Sequence, residues 1–519
     1  MRIGIDVGGT HTDAVIMDGN SVITSTKVLT SADVMEGVAN ALDTVLRDSG
    51  LPSAQIQSVM IGTTQFTNAI IERRQLAETG VFRLCLPAGR GLPPMVDWPD
   101  DIADAVGRHA YPLHGGYLYD GWPVADLDED EIDKAIADAK AKGLKNFAVA
   151  SAFSPMNAEP EQTVAARLKQ AIPDAHITCS QSFGRLGLME RENAAVLNAT
   201  LLQFADTVVS AFLDALRTRN LSCPVFISQN DGTLMSADFV RAFPALTFAS
   251  GPTNSLRGAM LLTGLEDAIV VDIGGTTSDI GVLQGGFPRE SNAVIEVGGV
   301  RTNFRMPDIQ ALGLGGGSLI SADGETLGPQ SVGHRLTTEG LVFGGNTLTA
   351  TDIIVASGHQ QIGDVSAVAG LAPDLVETAR RKMLTILDRG IDMMKPGAVD
   401  MPVILVGGGS ILVTGDLQAA SQVHRPEHAG VANAIGAAIA QVGGESEKIV
   451  SYQSIAREDA IAELRTEADA RALGAGATKE SLRVVDIEET EVPYMGQDTM
   501  RVRVKVIGEL ASSTAEAGT

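Results

Sequence analysis

Two short segments combine an aspartate with a Gly-Gly turn and hydroxyl side chains, which are groups that bind phosphate and Mg²⁺. They are DVGGTHTD (6–13) and DIGGTTSD (272–279), and each lies between two apolar runs. The backbone N–H groups of such a turn can form a nest for phosphate oxygens, and glycine lets a ligand come close to the backbone. An aspartate at the end of the preceding strand can hold Mg²⁺ directly or through water. The segments therefore predict two phosphate-binding hairpins with a metal between them.

The residue types assign roles within each hairpin. Asp6 and Asp272 are predicted to be both catalytic and metal-binding, because each ends a strand beside its turn. His11 could contact phosphate or substrate, or could only cap the backbone of the turn. The predicted phosphate-binding residues are Gly8, Gly9, Thr10, His11, Thr12, Gly274, Gly275, Thr276 and Thr277.

The two hairpins belong to a longer internal repeat. IGIDVGGTHTDAVI (3–16) aligns directly with IVVDIGGTTSDIGVL (269–283), which predicts two related lobes. Two facing turns could clamp a triphosphate from both sides. The alternative is a pair of structural hairpins left by gene duplication.

A third glycine-rich segment follows a predicted strand at 403–406. Its glycines, Gly407, Gly408 and Gly409, would allow the backbone to approach an adenosine. Asn433, in the following segment GVANAIG (430–436), is predicted with them to bind the nucleotide. The small side chains of that segment predict a helix that packs closely between the lobes.

The elements that must position these turns follow an alternating pattern of strands and helices. Strands are predicted at 2–6, 13–17 and 22–28, and a helix from Val34 has Ser31 as a plausible N-cap and Gly50 as a plausible stop. Further alternation of strands and helices continues to about Ala171, which indicates a mixed α/β sheet.

We predict three units along the chain. These are an N-terminal lobe (1–182), a second lobe (183–444) that includes a strand at 224–229, and a small C-terminal unit (445–519) with a disordered tail. Residues 87–123 contain both tryptophans and many prolines and glycines, so we expect an irregular insertion there. It could be a flap or partner surface, or simply a packed surface loop.

Composition narrows the function classes. The net charge of −25 argues against general nucleic-acid binding, because few Lys and Arg side chains are in excess to neutralise phosphates. Three widely spaced cysteines predict no disulfide framework or zinc motif, and the N-terminus does not resemble a secretory signal. No uninterrupted apolar run reaches the roughly 18 residues of a membrane span. We therefore expect a cytoplasmic protein.

The order of two Asp-x-Gly-Gly-Thr hairpins, a triple-glycine turn and a G-x-A-N-A-x-G helix resembles the superfamily of actin, hexokinase and the heat-shock ATPases. The resemblance covers most of the first 440 residues. It implies a two-lobed α/β actin-like ATPase fold with duplicated ribonuclease-H-like lobes. It also implies ATP and Mg²⁺ as ligands.

Further segments resemble the hydantoinase A/5-oxoprolinase family. They are GTTQFTNA (62–69), EREN (190–193), QNDGTLM (229–235), SGP (250–252) and LGGGS (314–318). The resemblance implies an enzyme that couples ATP cleavage to the opening of a cyclic amide such as a lactam or hydantoin, with a possible companion subunit or homo-oligomer. A small-molecule kinase of the same fold and a nucleotide-binding regulatory subunit are the alternatives.

One segment departs from the family pattern. Where the family usually has Asp-x-His before its glycine-rich run, this chain has Asp308-Ile309-Gln310. An amide cannot accept a proton near neutral pH and is a weak metal ligand. We therefore predict Asp308 to be catalytic, as sole acidic ligand or as base. The alternative is that Asp308 only caps the glycine-rich turn.

Overall fold

The computed structural model describes residues 1–29, 34–119, 121–183, 187–291, 293–492 and 498–511. The predicted N-cap Ser31 and nearly all of the predicted disordered tail lie outside these ranges. The helix after Ser31 begins at Val34 and ends at Ser49, next to the predicted stop Gly50.

The strands and helices of the first half of the chain alternate as the sequence indicates. In chain order they are β1 (Arg2–Val7), β2 (His11–Asp18), β3 (Ser21–Leu29), α1 (Val34–Ser49), β4 (Ser58–Thr63), α2 (Gln65–Glu72), β5 (Thr79–Leu86), α3 (Asp100–Val106), β6 (His109–His114), α4 (Glu129–Ala141), β7 (Asn146–Ser151), α5 (Glu159–Ala171), β8 (His176–Cys179), α6 (Leu188–Arg217), β9 (Val225–Ser228), β10 (Thr233–Ser236), α7 (Ala237–Ala242) and α8 (Ser250–Thr263).

The second half begins with the repeated hairpin. Its elements are β11 (Ala268–Ile273), β12 (Ser278–Gln284), β13 (Phe287–Pro288), β14 (Ile295–Val297), β15 (Val300–Thr302), β16 (Ile309–Leu312), β17 (Ser318–Ile320), β18 (Leu327–Ser331), α9 (Leu336–Glu339), α10 (Ala350–Ala356), α11 (Pro373–Met394), β19 (Met401–Val406), β20 (Ala420–His424), α12 (Ala432–Ala438), β21 (Gln441–Ser451), α13 (Arg457–Gly474), β22 (Arg483–Glu491) and β23 (Thr499–Gly508).

The two main sheets repeat one topology. The first contains the order β3-β2-β1-β4-β9, and the second contains β13-β12-β11-β19-β20. In each sheet, the first three of these strands in chain order pair antiparallel with one another. The next two strands, β4 and β9 in the first sheet and β19 and β20 in the second, pair in parallel. The duplicated, two-lobed actin-like fold that the sequence predicts is therefore confirmed.

The C-terminal strands extend the first sheet. β10 pairs with β9, β21 pairs in parallel with β10, and β23 and β22 complete a sheet of nine strands. β9, which the sequence placed in the second lobe, pairs with β4 of the first sheet. The proposed division at residues 182 and 444 stays a prediction.

A separate parallel sheet lies between β4 and β9 in the sequence. Its order is β6-β5-β7-β8, and its apolar core includes Phe82 and Phe147. Residues 87–123, predicted to be irregular, contain α3 and β6. β6 is an edge strand with Pro112 at its centre, and proline is tolerated in a sheet chiefly at such an edge. The proline and glycine content hid this strand from pattern analysis.

Each lobe contributes a helix to the other. α8 follows β10 of the first sheet, yet its Leu256 packs in the core of the second sheet with Val270. α12 follows β20 of the second sheet, yet its Ile435 packs against Val15 and Met17 of the first. The two helices are thus exchanged across the interface between the lobes.

The exchanged helices cross with their backbones in contact. A Cβ atom added to Gly436 would lie 1.8 Å from the carbonyl oxygen of Asn254, and one added to Gly258 would lie 1.9 Å from that of Ala432. No side chain fits at these distances, so glycine is required at both positions. This confirms the close packing predicted for the small-residue helix.

Among the described residues, one helix, α6, is long and apolar enough to cross a membrane. Most of its apolar stretch is buried within the protein, where Val196, Leu197 and Phe212 belong to the main core. This burial is typical of a core helix.

Replacing Gly436 with alanine should destabilise the protein. Helix propensity alone would favour alanine by about 1 kcal/mol. The clash with the α8 backbone should outweigh this and cost about 1–3 kcal/mol or more. Gly430→Ala is the matched control, because a Cβ atom there would meet nothing within 4 Å. Thermal melts should show a lower midpoint for Gly436→Ala only, and equal midpoints would refute the tight crossing.

Candidate functional site

The two predicted phosphate turns face each other. Each is closed by one hydrogen bond, from Gly8 N–H to the His11 carbonyl at 3.0 Å and from Gly274 N–H to the Thr277 carbonyl at 2.9 Å. A Cβ atom added to Gly275 would lie 3.7 Å from Thr10 Cγ2. The duplicated turns therefore meet across the cleft between the lobes.

Both turns present unused donors. Among the described residues, the backbone N–H groups of Gly9, Thr10, Gly275 and Thr276 have no acceptor. The N–H groups of the glycine-rich run 314–318 bond instead to the carbonyls of the second turn, at 3.0 Å for Gly274 and 2.7 Å for Gly275. The carbonyls of the second turn are thus engaged by the glycine-rich run, whereas the N–H groups of Gly275 and Thr276 remain available for an anion.

The predicted hydroxyl ligands differ in exposure. Thr12 is fully buried within β2, whereas Thr10 and Thr276 are partly exposed and Thr277 is exposed. A contact between Thr12 and phosphate stays a prediction. Thr10 and Thr277 are more accessible to a ligand than Thr12, because their side chains are not fully buried.

Four aspartates line the two hairpins. Asp6 lies opposite Asp13 in the β1–β2 ladder, and Asp272 lies opposite Asp279 in the β11–β12 ladder. We did not predict Asp13 and Asp279 as site residues. The signal for them was present, because each occupies the last position of its repeated segment.

The proximity of these carboxylates perturbs their protonation. Burial, with the neighbouring Asp13 and Asp272, raises the pKa of Asp6 to about 7. Burial and Asp272 raise the pKa of Asp279 to about 7, and burial raises that of Asp13 to about 6 despite the nearby Lys27. Burial also raises the pKa of Asp272. Such crowding is relieved when a cation binds.

The residues present fit a magnesium–phosphate group. Asp6 is 4% exposed and its Oδ1 has no hydrogen-bond partner among the described residues, and both polar side-chain atoms of the buried Asn254 also lack one. In the described part of the chain, no three acidic, histidine or cysteine side chains converge to hold a metal by themselves. This suits Mg²⁺, which usually keeps several waters and is bound through one or two carboxylates and substrate phosphates.

The exchanged helices hold the two strand-end aspartates reciprocally. Ser255 of α8 donates from Oγ to Asp272 of the second sheet, and Asn433 of α12 donates from Nδ2 to Asp6 of the first sheet at 3.1 Å. Asn433, predicted as a nucleotide contact, is thus bonded to a predicted metal ligand. Sequence analysis does not identify Ser255 as a site residue, because its contact with Asp272 exists only after the helices cross.

The triple-glycine turn lies against the second hairpin. Gly407 has a φ of +80°, and a Cβ atom there would lie 2.3 Å from Asp272 Oδ1. Gly409 is buried beside the carbonyl of Gly274, while Gly408 is exposed. The turn is therefore adjacent to the phosphate site, and its contact with an adenosine stays a prediction.

His11 is neutral at physiological pH. Burial and the nearby Lys27 lower the pKa of its imidazole to about 4. A neutral ring can donate or accept one hydrogen bond, but it cannot supply positive charge to a phosphate.

Asp308 lies apart from the other predicted catalytic residues. It immediately precedes β16, whose Leu312 pairs with Ser278 beside the turn and whose Ile309 pairs with Gly281 farther along β12. Asp308 and Leu312 are four positions apart along the chain, a span of about 13 Å in an extended strand. The structure therefore does not bring Asp308 together with Asp6 and Asp272.

Asp308 instead forms an ion pair. Its Oδ2 accepts a hydrogen bond from Arg289 Nη2 at 2.6 Å, and its backbone N–H donates to the Arg289 carbonyl at 2.7 Å. These contacts close the base of an arm, residues 290–307, whose Val300 and Phe304 pack in the core of the first lobe. The arm thus ties the second lobe to the first.

Three of the four residues of the EREN segment (190–193) are buried against other parts of the protein. Arg191, Glu192 and Asn193 are fully or almost fully buried. Glu192 pairs with Arg83 of the inserted sheet, and Asn193 accepts from Trp98 Nε1 at 2.8 Å. From sequence alone, Glu190, Arg191 and Asn193 could either line the cleft between the lobes or form the polar face of a solvated helix. Arg191 and Glu192 thus fasten α6 to the inserted sheet, through the Ser151 carbonyl and Arg83. Asn193 also donates from Nδ2 to the Arg301 carbonyl of β15 at 2.9 Å.

The raised pKa of Asp6 predicts a pH-dependent stability. A folded pKa of about 7 against 3.8 for the unfolded chain favours the protonated folded state. The stabilisation is complete below pH 3.8 and is lost as the pH rises through 7. In the absence of nucleotide and divalent cations, the free energy of unfolding should therefore fall less steeply with rising pH in Asp6→Asn than in the wild type. The difference in slope should reach up to about 1.4 kcal/mol per pH unit. Thermal melts from pH 4.5 to 8 measure it, with the exposed Asp18→Asn as control. Parallel curves for wild type and Asp6→Asn would contradict the assignment.

Comparison with known proteins places this chain in a family. The family model described as hydantoinase/oxoprolinase N-terminal region matches residues 2–172, and that described as hydantoinase/oxoprolinase matches residues 191–396. Together the two models cover most of the chain.

The chain is similar to several characterised proteins. It is 26% identical over 386 residues to the caprolactamase subunit alpha of Pseudomonas jessenii, covering 69% of this chain and 54% of that protein. It is 25% identical over 379 residues to 5-oxoprolinase 1 of Arabidopsis thaliana, covering 64% of this chain and 29% of that protein. The chain therefore spans about half or less of these relatives.

The fold has a close counterpart among solved structures. The ATP-dependent caprolactamase from Pseudomonas jessenii superimposes with a TM-score of 0.75 at 20% identity, covering 98% of this chain and 88% of that one. At this identity the likeness supports the fold alone. With the two family models, the chain belongs to the hydantoinase/oxoprolinase family.

Proposed function

We propose that the protein is an ATP-dependent hydrolase that opens a cyclic amide. The observation that carries the proposal is the pair of facing hairpins, with unused N–H groups and four crowded aspartates at one cleft. Membership of the hydantoinase/oxoprolinase family supports the choice of a cyclic amide as the second substrate.

The chemistry explains why ATP would be needed. An unstrained amide is a poor electrophile, and transfer of the γ-phosphoryl group to its oxygen activates the carbonyl carbon. Water then adds to that carbon, the ring C–N bond breaks, and the nitrogen takes a proton. A second water releases phosphate and leaves a carboxylate. The protein's task is mainly positioning and electrostatic stabilisation.

The residues divide this work. The N–H groups of the two turns would bind the phosphates of ATP, and Asp6 and Asp272 would hold Mg²⁺, which neutralises phosphate charge when bound. Ser255 and Asn433 orient these two carboxylates through the contacts described above. Gly407 to Gly409 would admit the adenosine beside the second turn.

The name of one relative bears on the assembly of the enzyme. That relative is named as the alpha subunit of a caprolactamase. We therefore propose that this chain acts together with a companion subunit or with a second copy of itself. A cytoplasmic location remains our prediction from composition.

A substrate screen tests the function. ADP release should be stimulated by at least one member of a panel of lactams, hydantoins and 5-oxoproline, with a linear amino acid as product. Asp6→Asn and Asp272→Asn should each lower this turnover by on the order of a hundredfold, because metal positioning acts on the transition state. The assay includes candidate companion subunits. A stable phosphorylated product would indicate a kinase, and full turnover in both variants would refute the site.

Asp308→Asn separates the two roles considered for Asp308. If Asp308 is the base or a metal ligand, the variant should lose cyclic-amide turnover while Mg·ATP affinity stays within a few-fold. If the Arg289 ion pair is its whole role, turnover should persist and unfolding stability should fall by about 1 kcal/mol, since the pair is partly exposed. Arg289→Gln is the matched control, because it breaks the same pair and leaves the carboxylate in place.

A further inference from the structure

In the described part of the chain, Lys27 is the one lysine or arginine that pairs with an aspartate of the two hairpins. It lies on β3 opposite Asp13, and its Nζ is 2.6 and 2.7 Å from the two carboxylate oxygens of that residue. Among the described residues, no other lysine or arginine pairs with any of the four hairpin aspartates. Lys27 is therefore the one positively charged side chain among the described residues that offsets the negative charge of these four aspartates through an ion pair.

The second hairpin lacks an equivalent lysine. Asp279, the counterpart of Asp13, lies opposite Ala311 of β16 and has no side-chain hydrogen bond or ion pair in the described part of the chain. In the described part of the chain, the crowded aspartate of the second hairpin thus has no basic side chain paired with it. A purely structural need to neutralise Asp13 does not account for Lys27.

Lys27 lies on the cleft side of its partner. Its side chain is 33% exposed, whereas that of Asp13 is 5% exposed. A Cβ atom added to Gly408 would lie 4.0 Å from Lys27 Cε, so the side chain reaches the triple-glycine turn of the other lobe. An ammonium group has three donors, and the two oxygens of Asp13 can accept two of them. One donor remains for a ligand between the turns.

We propose that Lys27 binds the polyphosphate of the nucleotide and that Asp13 is its positioning residue rather than a metal ligand. The assignment rests on the proposed use of ATP. It makes the two hairpins unequal, because the first supplies one acid for Mg²⁺ and one acid that holds a lysine. The second supplies Asp272 for Mg²⁺ and leaves Asp279 free.

Calorimetric binding of Mg·ATP and AMP tests the assignment directly. Lys27→Met should weaken Mg·ATP binding roughly ten- to a hundredfold, the range expected for one hydrogen bond to a charged group. AMP binding should stay within about twofold, because AMP lacks the β- and γ-phosphates. Lys145→Met is the matched control, since Lys145 pairs with Asp174 at 2.6 Å on an exposed surface. Mg·ATP affinity unchanged in Lys27→Met would overturn the assignment.

The double variant Asp13→Asn/Lys27→Met separates phosphate binding from charge masking. Lys27→Met alone leaves an uncompensated carboxylate that could repel phosphate or destabilise the fold. The double variant removes both charges, so its fold should be preserved, as a thermal melt without nucleotide would check. If Lys27 binds phosphate, the double variant should bind Mg·ATP as weakly as Lys27→Met. Wild-type affinity in the double variant would overturn the assignment.

The role of Asp13 has its own readout. Asp13→Asn should weaken Mg·ATP binding severalfold, and that loss should vanish when Lys27 is already methionine, as in a double-mutant cycle. Equal losses in both backgrounds would show that Asp13 acts without Lys27. If the wild type does not bind Mg·ATP, the proposed function fails together with this inference. Wild-type binding that Lys27→Met leaves intact removes only the inference.

Discussion

The backbone contact between α8 and α12 is the constraint on which the rest of the structure depends. At Gly258 and Gly436 the two helices approach so closely that neither position has room for a Cβ atom. Because each helix packs on the sheet of the other lobe, their crossing fixes how the two sheets face each other. Ser255 and Asn433 lie on these helices, so the crossing also fixes the partners of Asp6 and Asp272.

The site that results is electrostatically unfavourable by itself. Four aspartates meet at one cleft, and the pKa of Asp6, Asp13, Asp272 and Asp279 is raised by burial. Burying carboxylates without enough partners costs stability, and proteins retain such arrangements mainly where they have a function. Free turn N–H groups at the same cleft add the complementary feature, since they suit the oxygens of a phosphate. The four aspartates and the turn N–H groups together favour binding of a metal cation and of a phosphate group coordinated to it.

Hydrogen-bond satisfaction distinguishes the polar residues that belong to the site from those that hold the fold. Glu192 is buried, and both of its oxygens accept from Arg83. Asp308 is likewise paired with Arg289 at the base of the arm. By contrast, Asp6 Oδ1 and the amide of Asn254 are buried without partners among the described residues. The buried Glu192 is therefore neutralised within the fold, whereas Asp6 keeps one oxygen without a protein partner in the described part of the chain.

The sequence by itself determined the elements whose information is local. The repeated hairpins, the paired lobes and the small-residue helix follow from glycine, from strand patterning and from internal repetition, and all three are present. The sequence could not determine which strands share a sheet: β9 joins the first sheet, and β21 to β23 extend it, because pairing depends on contacts far apart in the chain. Nor could it reveal the lysine at position 27 beside Asp13, or Ser255 beside Asp272. Strand register and helix crossing decide those contacts, and they exist only once the chain has folded.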